Sequence, residues 1–536
     1  MKMRQRGVGR SKSGRHSSLP EASTGPRHHA DPQADVITLL EGRAFGSGET
    51  MRRIDTHAAR VFLVGDRAWK LKRAVQFDYL DFSTADRRRA ALEAELRLNR
   101  RTAPELYLAV RPVSKNSAGC LNLDGEGEPV DWLLEMRRFP DDALLDHVAT
   151  QGGLTDVLIT QLADRIKAFH DGAETCLSGS GRSRLEAVIA GNDRSMARFP
   201  DILPARLVRD LIDRQVALLA QHSDLLDSRA RSGRVRHGHG DLHLGNIAVI
   251  DGSPVLFDCL EFSPELATGD VLYDLAFLLM DLWGRGLHCE ANALFNRYLD
   301  ISPQDEAGVA LVPLFLSIRA GIRAHTSAAQ ASDGSDEALT QKASAYLTLA
   351  RAVLEPVPAR LVAIGGLSGS GKSTIAKLIG HSLGEVPGAR ILRSDVLRKR
   401  LAGVPPESPL PKDAYTLSAN AAIYTELRRL AGHMLYAGHS VVADAVHAKP
   451  EERTAIQEVA LRRDARFDGI WLNASPDMLT ARVSSRTHDA SDANAAVVAM
   501  QTRYDLGHIN WHRVNAADDR KTVATQVMDV LDVRHL

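Results

Sequence analysis

The sequence predicts a two-lobed α+β domain followed by an α/β domain built on a five-stranded parallel sheet. Three observations carry that reading. At 536 residues the chain exceeds what one hydrophobic core organises. A polar, turn-rich break at Ser332-Asp-Gly-Ser-Asp336 divides it. The two sides of the break carry motifs of different architectures: an H-x-D-x-x-x-x-N run from His239 to Asn246, and a G-x-x-x-x-G-K-S run from Gly366 to Ser373.

Composition narrows the function classes. Lys plus Arg and Asp plus Glu both total 67, so no global basic field marks a nucleic-acid binder. The hydrophobic content of 44% is that of a folded globular chain. Cys120, Cys176, Cys259 and Cys289 lie far apart with no C-x-x-C pair, which points to neither a zinc site nor a disulfide framework; a reducing cytoplasm is expected. The apolar stretch Ala307–Ile318 contains Pro313 and is shorter than the roughly 20 residues a bilayer demands, so it reads as a buried helix.

Residues 1–34 have no acidic residue before Glu21 and no hydrophobic region, and read as a disordered basic tail. Folded sequence starts near Ala34-Asp-Val-Ile-Thr-Leu-Leu, opening a domain over 35–330. Apolar residues Ala343, Tyr346, Leu347, Ala350 and Leu354 make 331–357 a helical connector, closed by the prolines of Glu355-Pro-Val-Pro358. The second domain covers 358–536. Nothing in the sequence sets the oligomeric state.

In the first domain, Arg60-Val-Phe-Leu-Val64, the turn Gly65-Asp66 and Ala68-Trp-Lys-Leu-Lys72 read as a hairpin. Alternation along the strand puts Lys70 and Lys72 on one face, and either can reach nucleotide phosphates. The following helix offers Glu93 and Glu95 as partners for that lysine. Asp241 then has the position of a base beside an acceptor hydroxyl, and Asn246 that of a metal ligand on the same loop. Strands Ile247–Ile250 and Pro254–Phe257 follow, and Asp258 at their end occupies the slot of a second metal ligand. Asp258-Cys-Leu-Glu261 lacks the glycine of D-F-G, and Asp55-Thr-His-Ala58 stands where a glycine-rich loop would precede the hairpin.

Residues 35–330 resemble the aminoglycoside/choline phosphotransferase family, a protein-kinase-like fold acting on small molecules. The resemblance rests on His239–Asn246, Asp258, Ala168-Phe-His170 and Tyr273-Asp-Leu-Ala276. It implies Asp241 as base and Asn246 and Asp258 as metal ligands, with His170 structural. No A-P-E segment is present, which argues against protein substrates.

In the second domain, the strand Arg360-Leu-Val-Ala-Ile-Gly-Gly366 feeds a loop in which Gly366, Ser368, Gly369, Ser370 and Gly371 let backbone N–H groups wrap phosphates at a helix N-terminus. Lys372 is expected to reach the β/γ phosphates, with Ser373 on Mg²⁺ and Thr374 beside it. Arg390-Ile-Leu-Arg-Ser-Asp395 ends a strand with an aspartate, and Arg398 follows one turn later. His439-Ser-Val-Val-Ala-Asp444 is the next strand, its Asp444 a Walker B-like carboxylate near Mg²⁺. Phe467–Leu472 and Arg513–Ala516 complete five strands. Arg482 and Arg486, four apart, suit a lid that clamps phosphate.

This half resembles P-loop kinases of small molecules and of polynucleotide 5′-hydroxyls, including the gluconate kinase, chloramphenicol phosphotransferase and zeta-toxin groups, and such chains are often labelled AAA family ATPases. By that resemblance Asp395 is a base, Arg398 an acceptor contact, and Arg482 and Arg486 lid residues. Both halves together resemble a bacterial fusion of the two kinase types. The expectation is a cytoplasmic, ATP- and Mg²⁺-dependent phosphotransferase with two nucleotide sites acting on small-molecule hydroxyls. One alternative makes the N-terminal domain a regulatory ligand-binding module. A second, polynucleotide 5′-hydroxyl kinase activity, finds no support in the neutral charge.

Overall fold

A computed structural model describes residues 31–42, 44–45, 50–56, 58–77, 80–332, 336–485 and 490–533. Residues 1–30 of the tail expected at 1–34, and Arg486, expected in a lid, lie outside the described residues; residues 31–34 are not tail but lead into the helix Ala34–Gly42, because Gln33 is buried against the sheet.

The first lobe is a six-stranded antiparallel sheet. Its spatial order is Met51–Asp55, Ala59–Val64, Arg67–Lys72, Glu128–Arg137, Tyr107–Lys115 and Leu121–Leu123. Lys70 pairs with Leu134 in the middle of this sheet, and the helix Ala85–Asn99 packs across it. Thr84 starts that helix by accepting from the Arg87 N–H. Gln33 is buried and donates to Asp131, itself gripped by Arg88 at 2.8 Å.

The second lobe is helical. The run Val271-Leu-Tyr-Asp-Leu-Ala-Phe-Leu-Leu-Met-Asp-Leu is apolar on nearly all sides and forms the central helix Val271–Gly284, with Asp270 capping its start. Helices Asp156–Gly172, His288–Ile301 and Val312–Ser332 surround it. The segment Pro303–Ser332 is the one stretch among the described residues long and apolar enough to cross a membrane; 72% of its apolar window is buried inside the fold. The helix Glu337–Ala352 folds back onto Val312–Ser332.

The C-terminal sheet is parallel and five-stranded, in the order Arg390–Arg393, Val441–Asp444, Arg360–Gly365, Arg466–Asn473, His512–Asn515. Leu361 to Ile364 have no exposed surface, as expected for a strand covered on both faces. The apolar core is continuous across the two halves: Leu294 and Phe295 of the first belong to the same buried cluster as Leu392 and Leu397 of the second.

Candidate active sites

The first site lies where the lobes meet. Lys70 and Lys72 both point from their strand to Glu95, at 2.7 and 2.6 Å, and Glu95 is fully buried. Glu93, two residues earlier on the helix, faces solvent and pairs with Arg89. Lys70 also reaches Asp258 at 2.8 Å, and Lys72 reaches Glu261. Two lysines therefore share three carboxylates. Burial opposes the charge of Lys70, but Asp258, Glu95 and Glu261 hold its ammonium well above the ordinary lysine range. Burial likewise opposes the charge of Asp258, yet Lys70 and Lys72 keep its carboxyl low. For Glu261 burial wins and its carboxyl is raised.

The loop bearing Asp241 is hung from below. Gly240 has φ +82°, and a Cβ there would press on Leu260 and Ala267. The N–H groups of His239 and Gly240 donate to the buried carboxylate of Asp274 at 2.8 and 2.9 Å. Asn246 donates to the Asp241 carboxylate at 3.0 Å, on a short turn leading into the hairpin Ile247–Ile250 and Ser253–Leu256. Burial disfavours charge on Asp241, but His243, His239 and Arg323 hold the group far below the usual carboxylate range, so it is an ionised acceptor at neutral pH. Asp258 sits at φ +60°, uncommon for a residue with a side chain, and its N–H donates to the Tyr107 hydroxyl at 3.1 Å. His170 lies underneath, bonded to Asp274 and Tyr298.

The second site is one loop between the central strand Arg360–Gly365 and the helix Lys372–Gly380. Gly366, Gly369 and Gly371 take φ of +143°, +88° and +91°. A Cβ at Gly369 would meet the Leu479 carbonyl at 2.5 Å, so this glycine also admits the next helix. Ser373 Oγ donates to Asp444 at 2.5 Å, and Lys372 Nζ to the Leu367 carbonyl at 3.2 Å. Burial raises the Asp444 carboxyl against the pull of Lys372 and Arg393.

The edge strand stops at Arg393, so Asp395, expected to end it, is instead the second residue of the helix Ser394–Leu401, whose N-terminal turn starts at once after the strand. Arg398 donates to Ala414 O and Asn420 Oδ1, both at 2.7 Å, and lies 4.6 Å from the Tyr415 ring. Arg482 donates to the Ala516 carbonyl at 2.8 Å. The motif reading passed over several contacts. Gln501 accepts from the Ser368 N–H at 2.8 Å, and Asp492 draws in Lys399, Tyr415 and the Leu410 N–H. Tyr107, Gln501 and Tyr298 belong to no local pattern; Glu261 had a signal, three residues after Asp258.

Among the described residues no group of three His, Cys, Asp or Glu side chains could hold a metal alone. The donors present are Asn246 with Asp258, and Ser373 with Asp444. Such sparse sets fit Mg²⁺, which keeps waters and shares its remaining positions with substrate phosphates.

Two family models match the chain. Residues 50–312 match the phosphotransferase enzyme family, and residues 361–505 match an AAA domain. An uncharacterised protein of Mycobacterium tuberculosis is 30% identical over 490 residues, which cover 89% of this chain and 94% of that one. An uncharacterised protein of Mycobacterium bovis matches equally. Among solved structures, a choline/ethanolamine kinase family protein from Mesorhizobium loti aligns with 61% of this chain and 96% of its own, at 14% identity and a TM-score of 0.38. A gluconokinase from Sinorhizobium meliloti aligns with 33% of this chain and 94% of its own, at 21% identity and a TM-score of 0.24.

Proposed function

This chain belongs to the family that joins a phosphotransferase domain to a P-loop AAA-type domain, and on that premise we propose that each half binds ATP and transfers its γ-phosphate to a small-molecule hydroxyl. The observation that supports this reading is two separate clusters of side chains of the kind that handle phosphate. Lys70, Asp241, Asn246 and Asp258 form one, and Lys372, Ser373, Asp395 and Asp444 the other. The working domains are 35–330 and 358–536, joined by 331–357, and the reaction is cytoplasmic.

In the first half, Lys70 holds nucleotide phosphates, oriented by Glu95. Asp241, ionised and hung from Asp274, accepts the proton of the acceptor hydroxyl. Asn246 and Asp258 hold Mg²⁺. In the second half, backbone N–H groups of Gly369 to Thr374 cradle the phosphates, Ser373 and Asp444 hold Mg²⁺, and Asp395 takes the acceptor proton, with Arg398 on the acceptor side. When bound, Mg²⁺ neutralises phosphate charge. Arg482 and Arg486 belong to the lid.

A second reading keeps the first domain as a regulator. Asp55-Thr-His-Ala58 stands where a glycine-rich loop would lie, which favours that role. The experiment is transfer from γ-labelled ATP to a metabolite panel, with Lys372→Ala and Asp241→Ala made singly and together. Label transfer surviving Lys372→Ala and lost on adding Asp241→Ala supports two catalytic sites. Transfer lost entirely in Lys372→Ala favours regulation.

A further inference from the structure

The edge strand Arg390–Arg393 would leave its outer backbone groups unpaired, because it has a strand neighbour on one side alone. The helix His288–Ile301 of the first domain takes them. Asn296 accepts from the Ile391 N–H at 2.7 Å and donates to the Ala389 carbonyl at 3.1 Å. Asn292 donates to the Pro387 and Ala389 carbonyls, both at 3.0 Å. Gly380 and Gly388 make this approach feasible, since a Cβ on either would stand within 2.9 Å of the Asn292 amide. Arg390 is almost wholly buried, and its guanidinium meets Asp300 at 2.7 Å and Glu306 at 3.2 Å. Glu306 also takes Arg400, in the helix Ser394–Leu401 that carries Asp395.

The same helix is tied to the other site. Tyr298, with no exposed surface, shares a hydrogen bond with His170 Nδ1 at 2.8 Å. His170 Nε2 meets Asp274 at 3.1 Å, and Asp274 carries the His239 and Gly240 N–H groups that hang the Asp241 loop. The contacts of Asn292, Asn296 and Arg390 at one end and of Tyr298, His170 and Asp274 at the other are buried and polar, and the helix His288–Ile301 joins them.

We propose that the two phosphate sites are coupled through the helix His288–Ile301, so that filling the first site alters the edge strand beside Asp395. This rests on the reading that the first domain binds nucleotide at Lys70, Asn246 and Asp258. The input is direct: Asn246 donates to Asp241 and Lys70 holds Asp258, and metal and phosphate would bind those same side chains. A ligand that changes their arrangement pulls on the loop suspended from Asp274, and the displacement passes through Tyr298 to Asn296 and Arg390.

The test is hydrogen exchange on the full chain carrying Lys372→Ala, with and without Mg²⁺ and the non-hydrolysable analogue AMP-PNP, with binding followed by calorimetry. Filling the first site should slow amide exchange across residues 390–401 by about fivefold or more, the low end of typical coupling. Adding Asp258→Ala should abolish both the heat and the slowing. Adding Tyr298→Phe should keep the heat and remove the slowing. Binding with unchanged exchange at 390–401 overturns the coupling and leaves the two-site reading intact. Slowing that persists in Tyr298→Phe overturns this route. No heat at all in the Lys372→Ala chain overturns the reading of the first site, and the coupling falls with it.

Discussion

The C-terminal site draws its phosphate loop from one unbroken run, Gly366–Ser373, whereas the N-terminal site joins Lys70 to Asp258 across 188 residues. The first arrangement needs a strand, three positive-φ glycines and a helix start, all local. The second needs two lobes held in register, and the protein spends buried polar groups on that. Asp274 suspends the Asp241 loop, Asp131 and Arg88 fix the sheet to its helix, and Asp305 lies between Arg229 and Arg234. A site made by local backbone geometry is sensitive to its loop. A site made by assembly is sensitive to its scaffold.

The largest expected effect compares the two proposed bases. In a Lys372→Ala background, Asp241→Asn should lower transfer from γ-labelled ATP by about 10²–10⁴-fold with nucleotide binding retained. Asp395→Asn in an Asp258→Ala background should do the same for the second site. If either base substitution alone silenced both sites, the comparison would break.

Next comes the scaffold. Asp305→Ala leaves the buried guanidinium groups of Arg229 and Arg234 short of a partner and should cost about 3–5 kcal/mol. Ile379→Val, a truncation in the apolar core beneath the phosphate loop, should cost only about 0.5–1.5 kcal/mol. Denaturant titration of both variants checks the order, and equal losses would show that the first site does not depend specially on buried charge.

Acid loads buried histidines in both halves, His325 in the first and His439 and His447 in the second. Burial pushes His439 down to about 4 and His447 down to about 3, from an ordinary value of 6.5. Both lie in the C-terminal half and are neutral when folded. Their contribution to stability is complete above pH 6.5 and drains away as pH falls toward 4, at about 1.4 kcal/mol per pH unit for each histidine. Unfolding followed between pH 7 and 4.5 should show this slope, and His439→Gln should reduce it. A flat profile would mean these imidazoles are not excluded from protonation.

The smallest effect sharpens the local side of the comparison. Gly371 has φ +91° with nothing within 4 Å of a built Cβ, so Gly371→Ala introduces backbone strain without a clash. About 1–2 kcal/mol of nucleotide affinity should be lost at the second site and none at the first. Calorimetric titration reads both.

Legibility in the sequence follows the same division. The phosphate loop, its strand and the short apolar runs ending in Asp444 and Asp395 were readable because each is local. The period-two alternation put Lys70 and Lys72 on one face and could go no further, since both do meet Glu95. Choosing Glu95 over Glu93 required knowing which side of the helix faces the sheet. Asn292, Asn296 and Tyr298 are unremarked polar and aromatic positions on an amphipathic helix. Their partners lie about a hundred residues away in either direction, so no local period could mark them.

Two separate nucleotide sites on one chain can be counted by equilibrium titration with Mg²⁺ and AMP-PNP. Two nucleotides should bind per wild-type chain, one after Lys372→Ala and one after Asp258→Ala. A single nucleotide per wild-type chain, lost completely in Lys372→Ala, would contradict the two-site reading.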